Sequence, residues 1–146
     1  MKPLVGRQLS PQEIVEYFPA AFRRAFGGDY AQQCPSIVVM AEEDGVETGF
    51  ISGFFLDTLT FYIQFVGIYP EFRGGKRMLR YLRTAMELIG ARFYTTKTHI
   101  YDRMLQATLL RMEPYEFVVN GFNVDTGGTP WVSMIATMPN KEQGNG

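Results

Sequence analysis

The chain has 146 residues, 46% of them apolar, with 14 Lys and Arg against 15 Asp and Glu and a net charge of -1. That length fits one domain, residues 1–138 with a polar tail at 139–146, able to bury a core without a metal or disulfide staple. One Cys and one His exclude an internal disulfide and the usual zinc spacings, and a pI near 5.8 argues against a nucleic-acid binder.

Ser10-Pro11-Gln12-Glu13 opens the first predicted helix: Ser caps, Pro suits the first position and Glu closes a capping box. Ile14, Phe18 and Phe22 recur every four residues, Phe26 continues the row, and Gly27-Gly28 ends it. Pro19 falls inside and predicts a kink or two short helices. The β-branched run 36–41 predicts a strand, and 46–56 a second one, with Gly49 and Gly53 as candidate bulges. Between them, Glu42-Glu43-Asp44-Gly45 reads as a hairpin turn whose carboxylates, with Glu47, are solvated. Residues 59–68 form a third strand, apolar enough to lie centrally.

A second helix spans 79–89, with Leu79, Leu82, Met86 and Ile89 inward, and Gly90 stops it. Residues 93–97 form a strand that should run parallel to 59–68 through a right-handed crossover, the two strands separating near Ile68. A third helix covers 102–112, and strands at 116–124 and 131–137 complete the chain. The run 50–68 is interrupted by Ser52, Gly53, Asp57, Thr58, Thr60 and Gln64, so no membrane span is expected. The first ten residues lack the apolar core of a signal peptide, and a soluble, cytoplasmic protein is expected.

The segment from Ile68 to Leu79 organises this order. A strand leads through Tyr69-Pro70-Glu71-Phe72-Arg73-Gly74-Gly75-Lys76 into a helix, and Arg73, Lys76, Arg77, Arg80 and Arg83 crowd positive charge there. Glycines let backbone N–H groups approach an anion, and the helix N-terminus adds partial positive charge. Ile68, Pro70, Arg73 and Gly74 match the pyrophosphate loop of the GNAT (Gcn5-related N-acetyltransferase) superfamily, which the segment resembles. The order of elements is also similar to the GNAT fold over nearly the whole chain. The resemblance implies a single α/β (α+β) domain. Its mixed, mostly antiparallel sheet has one parallel pair splayed around an acyl-CoA site, with flanking helices.

The resemblance further implies transfer of an acetyl or acyl group from acetyl-CoA, or another acyl-CoA as co-substrate, to an amine acceptor. It puts Val66, Gly67 and Ile68 on pantetheine and Arg73, Gly74, Gly75, Lys76 and Arg77 on pyrophosphate. The carboxylate that the family often carries on this strand is missing, and its usual helix tyrosine falls on Leu110. His99, Tyr115 and Tyr62 are the candidate proton-transfer groups; no metal is implied. Lys76 stands where the family has glycine, restricting the positive φ that glycine permits, and Met78 stands where it has a small residue. These departures leave open a catalytically eroded GNAT-like protein with a structural or interaction role, as in some bacteriophages. Such a protein would act in a virion or another assembly, possible homo-oligomers included.

Overall fold

The computed structural model describes residues 3–29, 33–74, 76–100 and 102–137. Gly75, Tyr101 and the tail at 139–146 lie outside the described residues. Among the described residues seven strands lie in the order β1-β2-β3-β4-β5-β7-β6 in a mixed sheet with one parallel pair, accompanied by three helices. By its contacts the chain divides into two compact units, one of residues 1–55 and 63–90 and one of 56–62 and 91–146.

In the first unit, β1 (Leu4–Gln8) pairs antiparallel with β2 (Ile37–Glu43), and β2 with β3 (Val46–Phe55). The sequence pattern predicts no strand before the first helix; β1 is short, polar and at the sheet edge, so it carries little hydrophobic signal. The pleat sends alternate residues to opposite faces. Val38 and Met40 join Phe50 under helix α1 (Pro11–Phe26), in a core with Ile14, Phe18 and Phe22. On the other face runs α2 (Arg77–Ile89), so close that a Cβ on Gly6 would lie 3.1 Å from both Thr84 and Val39.

Of the two outcomes expected at Pro19, two short helices do not form: α1 is one helix of 16 residues. Its capping box is complete, Ser10 Oγ accepting from Glu13 N and Glu13 Oε1 from Ser10 N. Ile14 and Phe18 before the proline, and Ala21, Phe22 and Ala25 after it, are all buried. Packing on both sides of Pro19 outweighs the missing backbone hydrogen bond. Phe26 is 48% exposed, yet its ring stays near those of Phe22 and Phe65.

One extra residue in β3 decides which carboxylate faces which helix. Ala41 pairs with Gly49 but Glu42 pairs with Glu47, so the register skips Thr48. The resulting bulge brings Glu47 opposite Glu42 on the α1 face, while Glu43 falls on the α2 face. Gly49 is not the bulge that its place in the sequence suggests. A Cβ there would collide with the Gly67 carbonyl oxygen and the Tyr81 ring, so the residue permits close strand approach.

The second unit holds the first residues of β4 (Thr60–Ile68), β5 (Phe93–His99), helix α3 (Arg103–Leu109), β6 (Glu116–Val124) and β7 (Pro130–Thr137). The Leu59 carbonyl accepts from the Arg92 and Phe93 N–H groups where β5 starts beside β4. β7 pairs antiparallel with both β5 and β6. α3 stops at Leu109, short of the expected 112; Asp102 caps it through Leu105 N. Phe61, Tyr94 and Tyr115 form an edge-to-face chain in this unit's core.

Candidate functional site

β4 ends at Ile68, and Tyr69 N donates to the Thr48 carbonyl at 2.9 Å, holding the exit of the strand. Pro70–Phe72 make a single 3₁₀ turn. The chain then passes through Gly74 at φ 114, a conformation that L side chains rarely adopt, with no other atom near its missing Cβ. Lys76 is the N-cap residue of α2 at φ -104 and gives no side-chain cap. No acidic residue stands in the first turn. The start of α2 is thus a positively polarised helix end without a side-chain cap, beside an exposed lysine.

This geometry corrects one expectation. Lys76 does not strain the turn, because the backbone there is in a region ordinary residues adopt, and Gly74 carries the positive φ. Gly67 also has a packing reason. A Cβ on it would lie 2.6 Å from the Phe50 ring and 3.0 Å from Ala25, so its lack of a side chain lets α1 and β3 close over β4.

The guanidinium groups of the segment hold the protein itself. Arg73 donates from Nε to the Ile68 carbonyl at 3.1 Å and from Nη2 to the Ala25 carbonyl at 2.5 Å, tying the end of β4 to the end of α1. Arg77 donates from Nε to Glu43 Oε2 at 2.8 Å and from Nη1 to the Phe72 carbonyl at 2.9 Å. Arg80 reaches Glu43 Oε1 at 3.3 Å, and the Tyr81 hydroxyl donates to Glu43 Oε2 at 3.0 Å. Glu43 is 5% exposed, not part of a solvated turn. Burial works to raise its pKa, but the bonds from Arg77 and Tyr81 and the charges of Arg77 and Arg80 outweigh this and lower it. Burial pushes the Tyr81 phenol up to about 12, against a bond with Thr48 and with help from Glu43. The cluster fixes the hairpin end of β2 against the start of α2. Its signal in the sequence is the alternation of β2: Val39, Ala41 and Glu43 share the α2 face, so the carboxylate of Glu43 points inward.

The proposed proton-transfer residues have separate surroundings. His99 lies opposite Trp131 in the β5–β7 register, their rings 5.4 Å apart and edge to face. Trp131 Nε1 donates to Asp125 Oδ2 at 3.0 Å; this bond leads the causes that lower the Asp125 pKa, with the charge of His99 a smaller one. Tyr115 is 3% exposed, packed edge-on against Tyr94. Tyr62 is half-buried, and burial raises its phenol pKa. Among the described residues no group of three His, Cys, Asp or Glu is placed to hold a metal ion, and no helix is long and apolar enough to cross a membrane.

No family model matches the sequence, and no curated protein matches it significantly. Solved structures do match in shape. An IAA acetyltransferase from Bacillus cereus superposes with TM-score 0.71 at 12% identity, over 93% of this chain and 100% of that one. The ribosomal-protein-S18-alanine N-acetyltransferase from Escherichia coli gives 0.66 at 13% identity, over 95% and 97%. A chain of the NatC complex bound to Gag peptide and CoA gives 0.69 at 10%, over 95% and 100%.

The fold is GNAT-like. The expected mixed sheet with one parallel strand pair is the arrangement that these acetyltransferases share with this chain. At the end of β4 the junction from Ile68 to Arg77 supplies a helix N-terminus without a side-chain cap, and Lys76.

Proposed function

We propose that the protein binds acyl-CoA at the β4–α2 junction and transfers the acyl group to an amine in the cytoplasm. The observation that supports this reading is the junction itself: a GNAT-like fold whose loop glycine, Gly74, sits at φ 114 before an uncapped helix end. The residues fit the ligand. Backbone N–H groups at Lys76 and in the first turn of α2, with the Lys76 ammonium, would face a pyrophosphate. Val66, Gly67 and Ile68 would offer strand backbone to pantetheine. The CoA found in the NatC complex is that protein's ligand and bears on this chain only through the shared fold.

In the reaction the amine nitrogen, having lost its ammonium proton, attacks the thioester carbonyl. A C–N bond forms, the C–S bond breaks, the nitrogen sheds a further proton as the amide forms, and the departing sulfur takes one up. The task of this chain is to accept protons from the nitrogen and supply one to the sulfur, with one net proton released to solvent. His99, the one imidazole of the chain, is the first candidate for the base. Tyr62, its phenol raised by burial, is suited to give a proton rather than take one. Tyr115 is the third candidate.

A second reading is favoured by two observations: β4 carries no carboxylate, and the Arg73 and Arg77 guanidinium groups already hold protein atoms. It describes a GNAT-fold protein that no longer catalyses and serves in a structure or assembly, a virion among them. One experiment separates the readings. Acetyl-CoA should raise the melting temperature, since a ligand that binds only the native state stabilises it. Turnover with polyamines, aminoglycosides, amino acids or peptides that is lost in His99→Ala supports the enzyme. Stabilisation without turnover supports the second reading, and neither effect removes the acyl-CoA reading.

A further inference from the structure

Two of the basic side chains at the β4–α2 junction are turned onto one buried carboxylate. Arg77 opens α2, and Arg80 stands about one turn further on. Arg77 donates to Glu43 at 2.8 Å and Arg80 at 3.3 Å, and the Tyr81 hydroxyl donates to the same carboxylate at 3.0 Å. The Glu43 side chain is 5% exposed, whereas those of Arg77 and Arg80 are 32% and 24% exposed. A solute arriving from solvent therefore meets the guanidinium groups and not the carboxylate behind them.

Glu43 is also close to the loop backbone. The Arg77 guanidinium that binds it through Nε donates through Nη1 to the Phe72 carbonyl, in the 3₁₀ turn before Gly74. One guanidinium thus reaches from the carboxylate to the loop. Tyr81, itself bonded to Thr48, keeps the carboxylate in place. Glu43 is charged at neutral pH, since its pKa lies below the ordinary value of 4.5 in spite of its burial. A fixed negative charge one side chain away from a phosphate site works against any anion there. Because the charge is buried, salt screens it little.

We infer that Glu43 sets the anion affinity and specificity of the junction, as a built-in rival of the ligand's phosphates for Arg77 and Arg80. The inference rests on the acyl-CoA reading of the junction and adds to it a determinant from β2, outside the loop. One carboxylate cancels half of the charge that the two guanidinium groups bring, so phosphates are drawn chiefly by the helix end and Lys76. A ligand then gains less from its phosphates, and the uncharged pantetheine arm weighs more in recognition. Replacing Glu43 by its neutral isostere releases the guanidinium charge to the ligand.

Calorimetry on the full chain, wild type and Glu43→Gln, at low and high salt, tests this with three probes: coenzyme A, inorganic pyrophosphate and pantetheine. Glu43→Gln should bind coenzyme A and pyrophosphate about tenfold more tightly. The uncharged pantetheine should bind both proteins alike or neither. The gain should shrink as salt rises. A mere loss of local structure would weaken every probe and would not sort them by charge. Because Glu43→Gln should also be less stable, binding is measured well below its melting range, with circular dichroism as the check on folding. A second measurement needs no variant: pyrophosphate bound to the wild type should shift the Nε–H resonances of Arg77 and Arg80. Unchanged or weaker anion binding by Glu43→Gln, an equal gain for pantetheine, or bound pyrophosphate that leaves both resonances in place would each overturn the inference. Those outcomes leave the acyl-CoA reading standing wherever coenzyme A binds. Pyrophosphate binding strengthened by Glu43→Gln, with no binding of coenzyme A, would uphold the inference and remove that reading. No anion binding by either protein would remove both.

Discussion

Glu43 Oε2 accepts a hydrogen bond from Arg77 Nε at 2.8 Å, joining the last residue of β2 to the first of α2. The carboxylate is buried and also receives Arg80 and Tyr81, so three donors depend on it. Breaking a buried ion pair leaves uncompensated charge and costs about 3–5 kcal/mol. Glu43→Ala should therefore lower Tm by on the order of 10 °C, read by thermal melts. A loss of under about 1 kcal/mol would mean that Arg77 and Arg80 find other partners at no cost.

The same carboxylate gives a pH dependence. Its folded pKa lies below the ordinary value of 4.5, so its contribution is fully present above that value and is lost as pH falls through the lower folded pKa. Glu13, Glu71, Asp57 and Asp125 are lowered as well, so acid should destabilise the wild type in general. Glu43→Gln removes one of these groups. Its denaturation midpoint should be lower at pH 7 yet fall less steeply below pH 4.5. Parallel curves for the two proteins would show that Glu43 titrates alike in both states.

Pro19 leaves the carbonyl of the preceding helical turn without its donor, and packing holds α1 together as one helix. Proline in a helix interior is about 3 kcal/mol less favourable than alanine. Pro19→Ala should stabilise the protein by about 1–3 kcal/mol, measured by urea unfolding. A destabilised variant would show that the half-buried ring contributes more by packing than its missing N–H costs.

These cases mark what is legible in the sequence. The capping box at Ser10, the stop at Gly90 and the strand-loop-helix at Ile68 are local signals, and each stands where local chemistry puts it. Glu43 is hidden because a run of three acids before Gly45 reads as a turn. Only pairing to β3 and packing of α2 bury its carboxylate. β1 exists through a partner distant in sequence, which no window of the chain contains, while the Thr48 bulge lies inside a local hairpin but leaves no mark on the composition.

Two glycines separate close packing from backbone strain. Gly49→Ala would press a methyl group onto the Gly67 carbonyl and the Tyr81 ring, and should cost about 3 kcal/mol or more. Gly74→Ala meets no atom and has only its φ of 114 to overcome, about 1–3 kcal/mol. Gly74→Ala should therefore melt higher than Gly49→Ala while altering the loop amides in NMR spectra. The reverse order of melting temperatures would contradict the close strand approach.

Lys76 and Met78 divide the remaining question about the loop. At φ -104, Lys76 gains nothing from the freedom of glycine, so its side chain is free to act through charge. A charge-assisted contact contributes about 1.5–3 kcal/mol against about 1 for a neutral bond. Lys76→Gly should weaken coenzyme A binding about tenfold and reduce its salt dependence. Met78, half-buried in the first turn of α2, works through bulk instead. Met78→Ala should tighten binding if the thioether intrudes where the helix passes the ligand. Calorimetry with coenzyme A on both single variants and the double variant, at low and high salt, checks each effect. The expected order of affinity is Met78→Ala, wild type, then Lys76→Gly. Tighter binding by Lys76→Gly would show that the lysine obstructs the site rather than attracting phosphate. No binding by any variant at low salt would reduce the junction to a structural turn and remove the acyl-CoA reading.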